Sequence, residues 1–518
     1  MNMNTAISPT SQTEIDVVEL TLAEIGQAFA TGRYTAEALT AASLARIALY
    51  EPNYNAFTFM NPSALDAARA IDARRAAGEQ LGPLAGVPVV VKEAMDMVGF
   101  PSTGGWAELH SGSGGFDLMP LRDAPVVARL KAAGAVILGK TNVPALSMDG
   151  ARTTSSWDGP TYNAVDRRIA PGASSAGTAT AVSASFAVVG LAEETGGSIQ
   201  NPAAAQSLVS VKPTFALVPN SGVAPIAGST RDVVGPHART VTDAAILLDV
   251  LAGYTPDDQK TVASIGNIPK GGYTSRLSPT ALRGKRVGLY GTGWRTKPLS
   301  DEAQKLYDGA MAEVAARGAV LVPDPFAGSG FAALSTGADF DPRGIESVVW
   351  DMEQFIRRFG NDAPVRSFTE LNDKVRIKPF AKDGPGGKSG EMPQLAASLK
   401  DPAAVPDLSS FIAAREAYLD CVNQVMEKHS LDVLIFPQTS ADLPPVTGED
   451  PYPATTVSEI NIAGLPGVTV PAGRFASGAP FSLILVGRMW SEADLLAYAY
   501  DYEQATGYRI IPHLHTVD

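Results

Sequence analysis

Apolar side chains recur along this chain with two different periods. Leu20, Ile25 and Phe29, then Leu39, Leu44 and Ile47, return at near-helical spacing. That spacing predicts helices across residues 14–75, the second opened by Thr35 with Glu37 close behind it. Short β-branched runs follow. Gly86–Lys92 (GVPVVVK) predicts a buried strand ending on Lys92, with Pro88 near its start, where a missing ladder donor is tolerated. A helix over Ala124–Gly134 leads into a strand at Ala135–Leu138, and Lys285–Tyr290, Val320–Val322, Val433–Pro437, Gly467–Pro471 and Ser482–Val486 predict further strands. Helices alternating with strands imply an α/β fold, a large mixed, mostly parallel central sheet covered by helices on both faces.

No fixed-period repeat breaks this alternation, so residues 14–518 read as a single domain behind a disordered N-terminus, residues 1–13. Residues 325–400 are less periodic and read as an irregular, lid-like insertion. Within it the Gly/Pro/Lys stretch 380–394 predicts a mobile loop, either a lid or a disordered spacer. Residues 254–282 read as a connection between the two halves of the sheet.

Composition narrows the class. The 518 residues are 45% hydrophobic and 18% charged, which excludes disordered and fibrous proteins. A formal net charge of −13, with no Lys/Arg run long enough for a basic stripe, argues against a nucleic-acid partner. The single cysteine, Cys421, excludes an internal disulfide and a Cys-based zinc cage. The five histidines are scattered, so no metal and no cofactor is expected. The first twenty residues lack the basic start and apolar run of a signal peptide. The longest apolar stretch, Ala176–Ala192, is interrupted by Thr and Ser, so no membrane span and a cytoplasmic location are expected.

The chemistry concentrates between Pro171 and Thr214, the densest cluster of small and hydroxyl residues. Thr195-Gly196-Gly197-Ser198 follows an apolar strand predicted at Ala187–Leu191. Its glycines let consecutive N–H groups converge beside a hydroxyl, the arrangement acyl transfer needs for a nucleophile and a developing oxyanion. A plain glycine-rich turn is the other reading. A serine nucleophile needs a base. No Gly-x-Ser-x-Gly elbow is present, and no histidine has a triad-like neighbourhood. Lys92, at the end of its apolar strand, is the available base; a strand-end salt bridge to Glu93 or Asp96 is the alternative.

These blocks together resemble the amidase signature family. Gly172-Ala173-Ser174-Ser175-Ala176-Gly177 matches its serine loop, Gly196-Gly197-Ser198 its nucleophile turn 24 residues after Ser174, and Lys212-Pro213-Thr214 the end of its motif. GVPVVVKEAMDMVG and GAVILGKTNVPAL upstream, and RDVVGPHARTVTDAA and NIAGLPGVTVPAG downstream, match in order, so the likeness covers roughly residues 20–510. It implies catalytic roles for three residues: Ser198 as nucleophile, Ser174 on a non-proline cis peptide as bridge, and Lys92 as base. It also implies an oxyanion hole from the N–H groups of Thr195, Gly196, Gly197 and Ser198, with Ser175 in support.

The implied function is an amidase that hydrolyses the C–N bond of carboxamides, with anilides, carbamates (urethanes) and esters open, through a Ser-Ser-Lys triad and an acyl-enzyme. The implied partner is a small-molecule amide-type substrate, with no nucleic acid, no membrane span and a homodimer open. The alternative is a glutaminase-type subunit of a transamidation complex. The chain departs from the family pattern where Glu194 and Gln200 replace a usual Asp/Arg pair, and where Ala173 and Ala176 replace glycines.

One motif points elsewhere. Gly134-Ala-Val-Ile-Leu-Gly139-Lys140-Thr141 matches a phosphate loop, G-x-x-x-x-G-K-[ST]. Its variable positions are themselves strand-forming, and the order is helix, strand, turn, the reverse of what a phosphate cradle needs. ATP is therefore expected to leave the melting temperature unchanged in a thermal-shift assay; a rise of several degrees would restore the nucleotide reading.

Overall fold

The computed structural model describes residues 15–336 and 341–516; the expected disordered segment 1–13 lies outside the described residues. In chain order the strands are β1 (Phe57–Met60), β2 (Pro88–Lys92), β3 (Val136–Thr141), β4 (Thr154–Ser155), β5 (Gly159–Pro160), β6 (Val189–Glu194), β7 (Val209–Lys212), β8 (Val233–Ala238), β9 (Arg286–Leu289), β10 (Val320–Val322), β11 (Val433–Pro437), β12 (Gly467–Arg474) and β13 (Pro480–Val486). β4 and β5 form a small hairpin. The other eleven make one mixed sheet in the order β1-β3-β2-β6-β8-β7-β12-β13-β11-β9-β10.

Parallel pairing joins β3, β2 and β6 at one flank and β11, β9 and β10 at the other. Antiparallel pairs link these trios across the middle. The parallel neighbours β2/β3 and β9/β10 are joined through the helices Pro125–Ala132 and Asp301–Ala316, the crossover that parallel strands require. Amphipathic periodicity does not announce β8, whose centre is Gly235-Pro236; β6 and β7 pair with it from both sides.

Three features of this layout position the site. First, β2 is buried at every residue, as its β-branched run predicts. Second, Val89 pairs with Val189 and Val91 with Leu191, so the carboxyl ends of β2 and β6 lie side by side. That places Lys92 against the Glu193-Glu194 end of β6, at the sheet edge where α/β folds collect their ligands. Third, the helix Ala176–Ser183 is buried along its whole length. Small residues let it press onto β6 and β3: a Cβ on Gly177 would stand 2.4 Å from the Asn142 nitrogen. The Ser174-Ser175 loop is thereby wedged at the mouth of the helix.

Residues 134–141 form no phosphate cradle. Gly139, Lys140 and Thr141 are the buried end of β3, and Lys140 Nζ contacts the Pro101 carbonyl at 2.9 Å and Glu93 Oε1 at 3.5 Å. Residues 325–400 carry the helices Val348–Arg357, Phe368–Lys374 and Pro393–Lys400. Their apolar faces pack with Trp106, Leu109 and Leu118 in a separate core, joined by Phe380 from the 380–394 stretch. Among the described residues no helix is long and apolar enough to cross a membrane.

Near β1, Glu51 Oε1 accepts a 2.7 Å bond from the Phe57 N–H, while Oε2 has no partner among the described residues. Burial, with the neighbouring Asp158 adding to it, raises this carboxyl to about 8. A folded-state value above the ordinary one means that the contribution is fully present in acid and is lost as pH rises toward about 8. The melting temperature of Glu51→Gln should therefore fall less than that of the wild type between about pH 5 and about pH 8, measured by circular dichroism; parallel curves would refute the assignment.

Candidate active site

Lys92 enters the interior from the end of β2 and is 0% exposed. Its Nζ lies within hydrogen-bond reach of three oxygens. They are Ser174 Oγ at 2.7 Å, Glu193 Oε2 at 2.7 Å and the Glu193 carbonyl at 3.3 Å. The Ala173–Ser174 peptide is cis, and Gly172 before it has φ +74°, in the left-handed region that glycine tolerates. Ser175 pins this loop to β6: its Oγ donates to the Glu193 carbonyl at 3.1 Å and accepts from the Glu193 N–H at 3.3 Å.

The turn that follows β6 carries Ser198, 6% exposed. Gly197 has φ +94°, and a Cβ there would lie 2.6 Å from Asn201 Nδ2, so no other residue fits without displacing a neighbour. Among the described residues no hydrogen bond uses the N–H groups of Thr195, Gly196, Gly197 or Ser198, nor Ser198 Oγ. These donors and this hydroxyl stand unspent beside one another.

Glu194 organises the turn from beneath. Its carboxylate accepts from the Ile199 N–H at 2.8 Å, the Gln200 N–H at 3.1 Å, Gln200 Nε2 at 2.5 Å and Asn461 Nδ2 at 2.7 Å. The substituted pair thus keeps its contact as a neutral-donor hydrogen bond in place of an ion pair. On the other side, Thr195 Oγ1 donates to Asp232 Oδ1 at 2.5 Å and lies 3.4 Å from Glu193 Oε1. Burial, then the charge of Glu193, lifts Asp232 to about 7. The Arg231 guanidinium donates to the Thr195 carbonyl at 3.2 Å. His237 on β8 contacts the Ile199 carbonyl at 2.8 Å, and burial, with Lys92 nearby, lowers it to about 4, so it is neutral at neutral pH.

The structure brings Lys92 and Ser174 into direct contact and sets Ser175 against them. Ser198 sits on the adjoining turn, with no hydrogen bond drawn between it and Ser174. The partner of Lys92 is neither Glu93 nor Asp96. Glu93 accepts from the Thr103 and Gly105 N–H groups, and Asp96 takes Ser102 and Arg358. Glu193, Asp232 and Asn461 escape a reading by motif. Only the doublet Glu193-Glu194, two acids closing an apolar strand, signals the first of them. Among the described residues no group of three or more His, Cys, Asp or Glu side chains is placed to hold a metal ion.

With this geometry in place, likeness to other proteins becomes informative. The Amidase family model matches residues 38–340. A glutamyl-tRNA(Gln) amidotransferase subunit from Cereibacter sphaeroides is 32% identical over 506 residues, covering 95% of this chain and 98% of that protein. The protein of the same name from Moorella thermoacetica is 33% identical over 510 residues, again covering 95% and 98%. Among solved structures, peptide amidase from Stenotrophomonas maltophilia superposes with a TM-score of 0.77 at 31% identity, covering 96% of this chain and 99% of that one. An amidase family protein from Bacillus anthracis superposes at 0.78 with 26% identity, covering 96% of this chain and 93% of that one.

Two expectations are corrected by these relatives. The expected amidase hydrolysing carboxamides, with anilides, carbamates and esters open, is contradicted by curated relatives of 32% and 33% identity that are named as amidotransferase subunits. The motifs encode cleavage of an acyl–nitrogen bond, which hydrolysis and amide transfer share, and say nothing of where the nitrogen goes. The expected partner, a small-molecule substrate with no nucleic acid and a homodimer open, is likewise contradicted by relatives named for a tRNA and as subunits. A net charge describes how one chain alone meets a polyanion, and leaves the charge of an assembly open.

The bracing of the turn is directly measurable. Glu194→Ala strands the donors of Ile199, Gln200 and Asn461 in the interior and should cost about 3 kcal/mol or more. In urea the midpoint should fall with the slope unchanged. A loss below about 0.5 kcal/mol would show that the turn holds itself.

Proposed function

The chain belongs to the amidase signature family, enzymes acting on C–N bonds, and from that premise we propose that it is a glutaminase-type subunit that frees amide nitrogen for transfer within a larger assembly. The observation that carries this reading is likeness from end to end: the amidotransferase relatives align over 98% of their own length. The chemistry proposed for the site is acyl transfer at Ser198. Its Oγ attacks the carbonyl carbon of a linear carboxamide, the side-chain amide of glutamine. Its proton passes to Ser174, and the Ser174 proton to Lys92, across a separation of 2.7 Å. The N–H groups of Thr195, Gly196, Gly197 and Ser198 receive the negative charge that develops on oxygen; one such donor is typically worth about 3 kcal/mol.

The relay then runs backwards. Ser174 returns a proton to the departing nitrogen, because an amine is a poor leaving group as an anion. Water afterwards releases the acyl group from Ser198. Residues 325–400, packed over the loop that follows β2, are proposed as an insertion of the same domain that adapts this site to its setting.

Ammonia release from glutamine tests the proposal. The purified chain should release little on its own and markedly more when mixed with the remaining subunits of a related amidotransferase and glutamyl-tRNA(Gln). Ser198→Ala should remove about a thousandfold or more of that activity without lowering the melting temperature. Rapid amide hydrolysis indifferent to any partner would overturn the subunit role.

A further inference from the structure

Glu193 occupies a place that neither the motif nor the family likeness assigns. Lys92 Nζ lies 2.7 Å from Ser174 Oγ and 2.7 Å from Glu193 Oε2, with the two charged side chains 0% and 1% exposed. A carboxylate at this distance gives the amine a route by which a proton taken from Ser174 is passed on, and the atom in contact with it is Glu193 Oε2.

We propose that Glu193 is a positioning residue that acts through Lys92, aiming its amine at Ser174 and receiving the proton that Lys92 releases. The inference rests on the acyl-transfer reading above. In the forward step the Ser198 O–H proton moves to Ser174 Oγ, the Ser174 proton to Lys92 Nζ, and one Lys92 proton to Glu193 Oε2, as the bond from Ser198 Oγ to the acyl carbon forms. Lys92 ends as it began. The negative charge leaves Glu193 and appears on the oxyanion, so the total is conserved. In the second step the proton returns through the same atoms to the nitrogen, and the C–N bond breaks.

The surroundings fit a carboxylate that must accept and return a proton. Ser175 holds the Glu193 backbone on both its N–H and its carbonyl, fixing where the side chain starts. Thr195 Oγ1 bridges toward Asp232, the second acid of the cluster. The titratable and charged groups facing the pair are Asp232, with Arg231 beyond it, and His237 on β8. His237 is neutral near neutral pH, so it neither competes for the proton nor repels it.

The test is the pre-steady-state burst of p-nitrophenol from p-nitrophenyl acetate, whose rate constant reads acylation, followed from about pH 6 to about pH 10 with the maximal burst rate and the half-saturating ester concentration separated. E193Q keeps an acceptor for Lys92 but cannot take its proton. It should acylate about 100-fold more slowly at neutral pH, in the maximal burst rate rather than in the half-saturating ester concentration. Its remaining rate should climb with pH more steeply than the wild type's, since the proton from Ser174 then has no carboxylate to go to and must leave to base in the solvent. E193D, which retains a carboxylate, should keep the wild-type shape of the profile at reduced amplitude and so report even if E193Q does not fold. A wild-type rate and profile in E193Q, or a steepened profile in E193D, would overturn the proposal while leaving acyl transfer intact. Absence of a wild-type burst that Ser198→Ala abolishes would overturn acyl transfer and this inference with it.

Discussion

A lysine with no access to water is expensive to hold, and the site is built around that constraint. Charged groups taken out of water lose several kcal/mol of hydration, recovered only when geometry and partners are close to ideal. Lys92 meets this demand with a serine hydroxyl, a carboxylate and a carbonyl, all drawn from the two elements that flank it. The parallel register of β2 and β6 sets the distance to Glu193, and the loop ahead of the helix Ala176–Ser183 sets the distance to Ser174. Removing any of these elements would leave a buried charge without its complement.

Around this pair the interior is crowded with acids. Glu193, Glu194 and Asp232 are all buried close to the Thr195–Ser198 turn, and each has a distinct set of partners. Glu193 faces Lys92. Glu194 gathers backbone and side-chain donors under the turn. Asp232 caps the Ile226 and Ala227 N–H groups and takes the Thr195 hydroxyl. The cations that balance them, Lys92, Arg231 and Lys212, are equally buried, and desolvation lowers Lys212 to about 8 despite the nearby charges of Glu194 and Glu492. Charge-assisted bonds of this kind are roughly twice as strong as neutral ones, so displacing any of these groups is costly.

Much of the frame was legible from the residues alone. Continuous apolar runs announced β2, β11 and the core of β13, because a strand buried on both faces needs no polar alternation. The small-residue helix and the glycine turn were legible for a similar reason: only small side chains allow those backbones to approach so closely. The misleading phosphate-loop motif was also resolvable from sequence, since its variable positions are those of a strand. Strand β8 was not legible, because Gly235-Pro236 carries no apolar period and its pairing comes entirely from neighbours distant in sequence.

What the sequence by itself determined is what depends on residue type at short range: a hydroxyl beside two glycines, a lysine closing an apolar strand, and a serine 24 residues before Ser198. What only the tertiary structure decided is which charge meets which. Glu93 and Asp96 stand next to Lys92 in the chain, yet the carboxylate at its amine is Glu193, about a hundred residues away. Sequence neighbours on a strand project to opposite faces or follow the chain into the next loop, whereas strands paired in parallel bring their ends together whatever their separation. The partner of a buried charge is therefore a property of the sheet's register, which no single segment contains.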